Sequence, residues 1–190
     1  MATEKLNFRF SVLTLMVIAA TFSRIIPHPY SFTPMGTIAL FGAAYFSKKI
    51  IAFIIPLISM WLSDIVIQNT IYAGLYNHFW LYPENFPFNY FAFFLTAALG
   101  ILFLKEIKIF NIIGAGISAA VLFFLISNFG DWVSTTMYPK NLSGLISCYA
   151  VGVPYFGNML ASNLFYSAIL FGVFELAQRK FLVLSIKTSV

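Results

Sequence analysis

Long apolar runs, separated by short polar or proline-containing segments, dominate the pattern of this 190-residue chain. A helix that crosses a bilayer needs about 20 mainly apolar residues, or fewer where the bilayer is thin. The pattern therefore predicts an all-α integral membrane protein, a six-helix bundle forming one transmembrane domain over residues 1–190. The predicted spans are residues 8–26, 34–46, 50–67, 88–104, 110–129 and 156–177.

The second predicted span is much shorter than the others. Thr33 and Pro34 suit the N-cap and first turn of a helix that begins there. The run that follows is rich in small residues, including Gly36 and Gly42, which allow helix backbones to approach closely. We therefore expect span two to be short or re-entrant and to pack near the centre of the bundle.

Prolines and polar residues mark the connections between the runs. Pro27 and Pro29 end span one, and Pro56 predicts a kink inside span three. Residues 68–87 predict an outer loop. Residues 130–154 predict a second outer segment, which carries only a weak helix over residues 142–153 before span six begins.

Charged residues make up only 9% of the chain, and their placement predicts its orientation. Nine of the 11 Lys and Arg lie in alternate connections, namely Lys5, Arg9, Lys48, Lys49, Lys105, Lys108, Arg179, Lys180 and Lys187. Lys and Arg are retained in cytoplasmic loops, so both termini are predicted to be cytoplasmic. The same bias explains the net charge of +5, and no nucleic acid is expected as a partner.

Asp64 is the strongest single indication of a functional site. It lies near the outer end of an apolar span, where an ionised carboxylate is costly unless it is paired or hydrated. One interpretation is a solute-binding or proton-binding residue. The other is a structural ion pair with Arg24 near the outer surface, and the two interpretations are compatible.

A second candidate cluster follows span five. Asn128, Asp131 and Trp132 are three and four residues apart, so they share one helix face. An amide, a carboxylate and an aromatic ring together suit a small polar heterocycle. The alternative is an ordinary aromatic residue at the membrane interface. Tyr138, in a proline-containing turn, is predicted either to cap this pocket or to belong to a plain surface turn.

Other reactive residues give weaker indications. His28, between two prolines, is expected to be a hydrogen-bonding residue in a rigid outer loop, and its spacing from His78 and Asp64 does not favour a metal site. Glu106 and Glu175 lie beside basic residues, which predicts simple surface pairing. With no phosphate-binding loop or hydrolase motif, neither a cofactor nor an enzymatic activity is expected.

Several segments resemble a family of small bacterial membrane proteins described only as transport proteins. The resemblance rests on FSRIIPHPYSFTPMGTIALFGAAYF, PLISMWLSDIVI, SNFGDW and YPKNLSGLISCYAVGVPYFGNMLASNLFYSAILFG. More widely, the chain is similar to the substrate-binding S components of energy-coupling factor vitamin transporters. That similarity implies a bacterial plasma-membrane location, six helices, and a ligand pocket near the outer face that includes Asp64, Asn128, Asp131 and Trp132.

The resemblance also implies a partner. S components dock on a transmembrane energising subunit, which works with ATPases, through small residues spaced AxxxA on the first span. Here Ala19 and Ser23 have that spacing on span one, and Ala39 and Ala43 have it on span two. The chain carries no ATP-binding motif, so coupling to ATP requires such partners.

Three functions follow as hypotheses. The first is a binding and translocation subunit for a small vitamin-like or heterocyclic solute, for which Asp131→Ala or Trp132→Ala is expected to weaken binding. The second is a solitary transporter that uses Asp64 as its proton site. The third is a membrane enzyme or assembly factor without a transported solute.

Overall fold

The computed structural model describes residues 2–75, 78–82 and 86–185. Its helices are α1 (Ala2–Phe22), α2 (Met35–Tyr45), α3 (Lys49–Thr70), α4 (Phe86–Phe103), α5 (Ile109–Ser134) and α6 (Leu142–Lys180), with short 3-10 turns at Ser23–Ile25, Ala73–Leu75 and Leu182–Leu184. No strand occurs among these residues, which confirms the all-α prediction for them. Lys187 and parts of the predicted outer loop, residues 76–77 and 83–85, lie outside the described residues.

Successive helices run in opposite directions, which gives the bundle two ends. At one end, called the Asp64 end, the segment after α1 meets the last third of α3. The other end, called the lysine-rich end, holds Lys48, Lys49, Lys105, Lys108, Arg179 and Lys180. The basic residues with described side chains therefore collect at one end, apart from Arg24 and Lys140.

Five of the helices are long and apolar enough to cross a membrane: α1, α3, α4, α5 and α6. The chain is thus a membrane protein with several apolar helices of spanning length. The remaining helix, α2, has 11 residues and a length of about 16 Å. The six-span count and the cytoplasmic position of both termini stay predictions.

The short helix α2 lies at the centre of the bundle. It contacts all five other helices, and nearly every one of its residues is buried. Small side chains permit this packing: a side chain on Gly42 would collide with Pro56 of α3, and one on Gly100 of α4 would collide with Ala43. The expectation of a short, central second helix is confirmed.

The last helix corrects the prediction for residues 130–154. That segment was expected to carry only a weak helix over residues 142–153, separate from span six, yet α5 continues to Ser134 and one helix runs from Leu142 to Lys180. Asn141 caps α6 by accepting a hydrogen bond from the Gly144 amide, 2.9 Å away. Pro154 lies inside the helix without ending it, because proline removes only one N–H and apolar surroundings favour internally bonded backbone. The 39 residues of α6 extend for about 58 Å.

Candidate functional site

A cavity of about 620 Å³ opens at the Asp64 end. This volume is within the range of small-molecule sites, which is roughly 300 to 1,000 Å³. Its walls come from residues 24–33, the last turns of α3, the first turns of α2 and α4, Trp80, one residue of α5 and two residues of α6. Apolar and aromatic side chains alternate with a few polar ones, and Arg24 and Asp64 are the charged residues among those lining it.

Arg24 and Asp64 form an ion pair in the wall of this cavity. The Nη1 atom of Arg24 lies 2.6 Å from Oδ1 of Asp64 and donates a hydrogen bond to Oγ of Ser63 at 2.7 Å. The hydroxyl of Tyr90 lies 3.4 Å from the other carboxylate oxygen. The side chains of the pair are 16% and 14% exposed, so both are largely withdrawn from solvent yet still border the cavity. The predicted pairing of Arg24 with Asp64 is confirmed.

Helical periodicity brings the polar groups of α3 to the cavity. The cavity-lining residues of this segment are spaced three and four residues apart, which places them on one helix face; they are Met60, Asp64, Ile67, Gln68 and Ile71. Ordinary apolar spans carry neither a carboxylate nor an amide on such a face. The position of Gln68, four residues after Asp64, is a signal in the sequence that could have identified it as a site residue.

The loop 26–34 forms one side of the cavity and is fastened to α6. Asn158 donates a hydrogen bond to the Tyr30 carbonyl, and Ser162 donates one to the Thr33 carbonyl, both at 2.9 Å. Ser31 has a φ of 62°, a left-handed conformation that is uncommon for residues other than glycine. His28 is exposed at the rim, and its Nδ1 lies 2.9 Å from the Pro29 carbonyl oxygen.

Asn163 of α6 and Gly36 of α2 form the floor of the cavity. Asn163 is 2% exposed, and its side-chain amide donates to the Gly116 carbonyl at 3.2 Å. A Cβ on residue 36 would lie 2.6 Å from the Asn163 side-chain oxygen, so only glycine allows this approach. The sequence analysis missed both residues as site components because their contact joins distant parts of the chain.

Trp80 lines the cavity, and its backbone is bonded to the side chain of Asn69 in α3. The Asn69 side chain donates to the Trp80 carbonyl and accepts from the Trp80 amide, both at 2.8 Å. The indole N–H of Trp61 donates to the Leu81 carbonyl at 3.1 Å. Trp80 is consequently only 5% exposed although it lies in a loop. Sequence analysis identified the outer loop but did not assign Trp80 to the site.

The cluster predicted after span five lies outside the lining of the cavity. Asn128 donates to the Phe124 carbonyl of its own helix at 2.8 Å. Trp132 donates its indole N–H to the Pro139 carbonyl at 2.9 Å, and Lys140 donates to the Trp132 carbonyl. Lys140 also lies over the Trp132 ring, 5.8 Å from its centroid. These contacts tie the end of α5 to the turn before α6.

Asp131 and Tyr138 are not among the residues that line the cavity, but Asp131 lies near enough to affect Tyr30, which is. Desolvation, then the neighbouring Tyr155 and the charge of Asp131, raise the pKa of the Tyr30 hydroxyl above its usual value. Tyr30 lines the cavity, and its ring lies 4.9 Å from that of Tyr155. Asp131 therefore acts electrostatically on a residue of the loop 26–34.

The small residues proposed for docking occupy two different environments. Ala39 is fully buried, and Ala43 packs against Gly100, so both serve contacts between α2 and its neighbours in this chain. Ala19 is exposed on α1. Ser23 bonds to the Ala20 carbonyl at 2.6 Å, and its hydroxyl lies 3.1 Å from that of Tyr166.

Metal-binding chemistry finds no support among the described residues. No group of three or more His, Cys, Asp or Glu side chains lies close enough there to hold an ion. Cys148 is buried, and its thiol donates to the Asn128 carbonyl at 3.3 Å, in keeping with a packing role. The cavity lining combines one ion pair with the side-chain amides of Gln68, Asn89 and Asn163 and the ring of Trp80.

Comparison with known proteins gives a family and no function. No curated protein and no solved structure gives a significant match to the chain. The profile of one family, described as a family of unknown function (DUF6580), matches residues 4–186, which is nearly the whole sequence. The match includes every helix from α2 to α6 and every residue of the cavity. The chain therefore belongs to the DUF6580 family.

Proposed function

We propose that this protein binds a small solute in the cavity at the Asp64 end and takes part in moving that solute across the membrane. The observation that carries the proposal is the 620 Å³ cavity, bordered by a largely buried ion pair and opening at one end of a bundle of apolar helices. Ionisable groups inside membrane proteins are costly and commonly mark solute or ion pathways.

The lining favours an uncharged or zwitterionic solute. Arg24 and Asp64 cancel each other in formal charge, so a solute with a net charge would enter without a free counter-ion. Gln68 and Asn163 supply amide groups, and Trp80 supplies an aromatic wall. A vitamin-like heterocycle with ring nitrogens and carbonyls matches these groups.

The distribution of basic residues supports an orientation for this activity. With the lysine-rich end in the cytoplasm, the cavity faces outward and is positioned to capture solutes for uptake. This arrangement is the one expected of a binding subunit similar to an S component, in a bacterial plasma membrane. A transmembrane energising subunit with ATPases then couples uptake to ATP, since this chain carries no ATP-binding motif.

Proton coupling is a second candidate, and the environment of Asp64 favours it. Its carboxylate borders the cavity and contacts a hydroxyl and a guanidinium, so a change in its protonation would alter the charge balance around a bound solute. A solitary transporter of this kind would depend on a pH gradient and would need no energising partner.

The proposal is tested by native mass spectrometry of the purified full-length chain, followed by calorimetry with any retained molecule. We expect one retained small organic molecule, and Asp64→Asn is expected to weaken its binding at least tenfold because it breaks the pair with Arg24. Glu106→Gln is the matched control, since Glu106 pairs with Lys108 at the other end, 2.6 Å away. Equal affinity in both variants would remove the cavity as the binding site.

Uptake into vesicles separates the two candidates. Uptake by this chain alone, driven by a pH gradient and lost in Asp64→Asn, would favour the proton-coupled transporter. Binding without independent uptake would favour a subunit that requires an energising partner.

A further inference from the structure

A second concave surface lies at the lysine-rich end, between the first turns of α1 and the beginning of α3. This crevice has a volume of about 270 Å³ and is open on one side. Its polar lining residues are Asn7, Arg9, Ser47 and Lys48. Neither the cavity at the Asp64 end nor the proposed function involves any of them.

The apolar part of the crevice runs along one face of α1. Leu6, Phe10 and Leu13 follow one another at intervals of four and three residues, so they form a strip parallel to the helix axis. Across from them lies Phe46, whose ring centroid is 5.8 Å from that of Phe10. Leu13 closes the deep end and is buried, whereas Phe10 is exposed towards the open side. The strip has the shape and polarity to take an extended hydrocarbon chain.

The mouth of the crevice is basic. Lys48 lines the mouth and Lys49 follows it in the chain; both are exposed, and neither pairs with a carboxylate among the described side chains. Lys48 is also the N-cap of α3, whose dipole adds positive potential at the same place. Asn7 adds a side-chain amide on the α1 side. Arg9 also borders the crevice, but it is only 8% exposed and donates to Gln178 and the Leu184 carbonyl, so the exposed cation of the lining is Lys48.

We propose that this crevice binds an anionic phospholipid. One acyl chain lies along the strip formed by Leu6, Phe10 and Leu13, and the phosphate faces Lys48 and Asn7. Basic pockets between helices at a membrane surface bind anionic headgroups, and juxtamembrane lysines attract them. A lipid fits better than a protein helix because the crevice is narrow and joins an apolar strip to a cationic mouth over a short distance.

The test is native mass spectrometry of the full-length chain with equal amounts of phosphatidylglycerol and phosphatidylcholine. We expect phosphatidylglycerol to be retained preferentially. Lys48→Gln is expected to reduce its retention about fivefold, the effect of removing one basic residue at a membrane surface. Lys105→Gln is the matched control, because Lys105 is exposed at the same end but does not line the crevice. Asn7→Trp, which fills the mouth without changing its charge, is expected to reduce retention as well.

Four outcomes would overturn the lipid site. They are equal retention of the two lipids, equal losses in Lys48→Gln and Lys105→Gln, unchanged retention in Asn7→Trp, and full competition by glycerol phosphate, which would indicate a site for a free phosphate anion. A melting temperature within a few degrees of the parent's confirms that each variant is folded. Failure here leaves solute binding at the Asp64 end unaffected, since the two sites share no residue.

Discussion

Each end of the bundle brings together an arginine and a carboxylate from distant segments, and the two pairs have very different surroundings. At the Asp64 end, Arg24 and Asp64 are in direct contact and border a cavity of about 620 Å³. At the lysine-rich end, Arg9 and Glu175 are joined through Gln178 in a packed network. Both members of the pair at the Asp64 end therefore border free space, whereas at the lysine-rich end Glu175 and Gln178 are packed and Arg9 borders the smaller crevice.

The network at the lysine-rich end joins side chains of α1, α2 and α6. Arg9 donates to Gln178 at 3.2 Å and to the Leu184 carbonyl, and its guanidinium lies 5.4 Å from the centroid of the Phe174 ring. Glu175 accepts hydrogen bonds from Gln178 at 3.0 Å and from Tyr45 at 2.5 Å. Glu175 is thus part of an internal network, and the expectation of simple surface pairing for it is wrong. For Glu106, which pairs with exposed Lys108, that expectation is confirmed.

The difference between the two ends shows that charged side chains can stabilise the bundle at one end and border a binding cavity at the other. In the packed network, hydrogen bonds link groups of α1, α2, α6 and the turn Leu182–Leu184, so the network contributes to stability and to the fit of these elements. In the cavity, the pair has space beside it, so a solute can reach its donors and acceptors. Four substitutions test this contrast, from the largest expected effect on stability to the smallest.

Removing Glu175 should cause the largest loss of stability. Glu175→Ala removes the carboxylate that is joined to the buried Arg9 through Gln178, and breaking such an arrangement costs about 3 kcal/mol. Glu106→Ala, which removes an exposed partner, should cost no more than about 0.5 kcal/mol. The free energy of unfolding in detergent measures both. Equal effects of the two substitutions would contradict the contrast between packed and exposed pairs.

Substitution of Gly36 should cause the second-largest loss of stability. Gly36→Ala places a Cβ 2.6 Å from the Asn163 side chain, and such overpacking costs about 2 kcal/mol. Since Asn163 forms the floor of the cavity, solute affinity should fall too. Gly114→Ala is the control, because open space surrounds Gly114 and alanine favours a helix over glycine. A neutral Gly36→Ala variant would show that the close approach of α2 and α6 is not required.

Trp132→Phe distinguishes the cavity from the cluster after span five. The substitution removes the hydrogen bond to the Pro139 carbonyl and should cost about 1 kcal/mol of stability. Solute affinity should not change, because Trp132 does not line the cavity. A large loss of affinity, measured by calorimetry, would instead support the heterocycle pocket that the sequence pattern suggested around Asn128, Asp131 and Trp132.

Asn158→Ala should have the smallest effect on stability. It removes the hydrogen bond from α6 to the Tyr30 carbonyl, which is worth about 0.5 to 1 kcal/mol. The loop 26–34 should then open more often, so hydrogen exchange of its amides should rise. Asn111→Ala, which removes a side-chain bond to the Glu106 carbonyl at the lysine-rich end, is the control. Unchanged exchange in the loop would mean that Asn158 does not hold it closed.

Part of the candidate site could be predicted from the sequence alone. Asp64 was identifiable because a carboxylate in an apolar run demands a partner, and Arg24 was one of two basic residues on the same predicted side. The short, glycine-rich second helix could also be predicted, since small residues indicate close packing. By contrast, the cluster after span five gave the residue types of a binding site, yet Trp132 and Lys140 bond to nearby backbone carbonyls.

The sequence by itself determined the helical fold, the apolar spans and the separation of basic residues to one end, because these follow from local periodicity and from the cost of charge in a bilayer. Only the tertiary structure decided that α6 continues through Pro154, that Asn163 meets Gly36, and that Trp80 is folded back into the cavity wall. These features depend on contacts between distant residues. Hydrophobic patterning indicates which face of a helix is buried, and it does not indicate which side chain from another helix will fill the space in front of it.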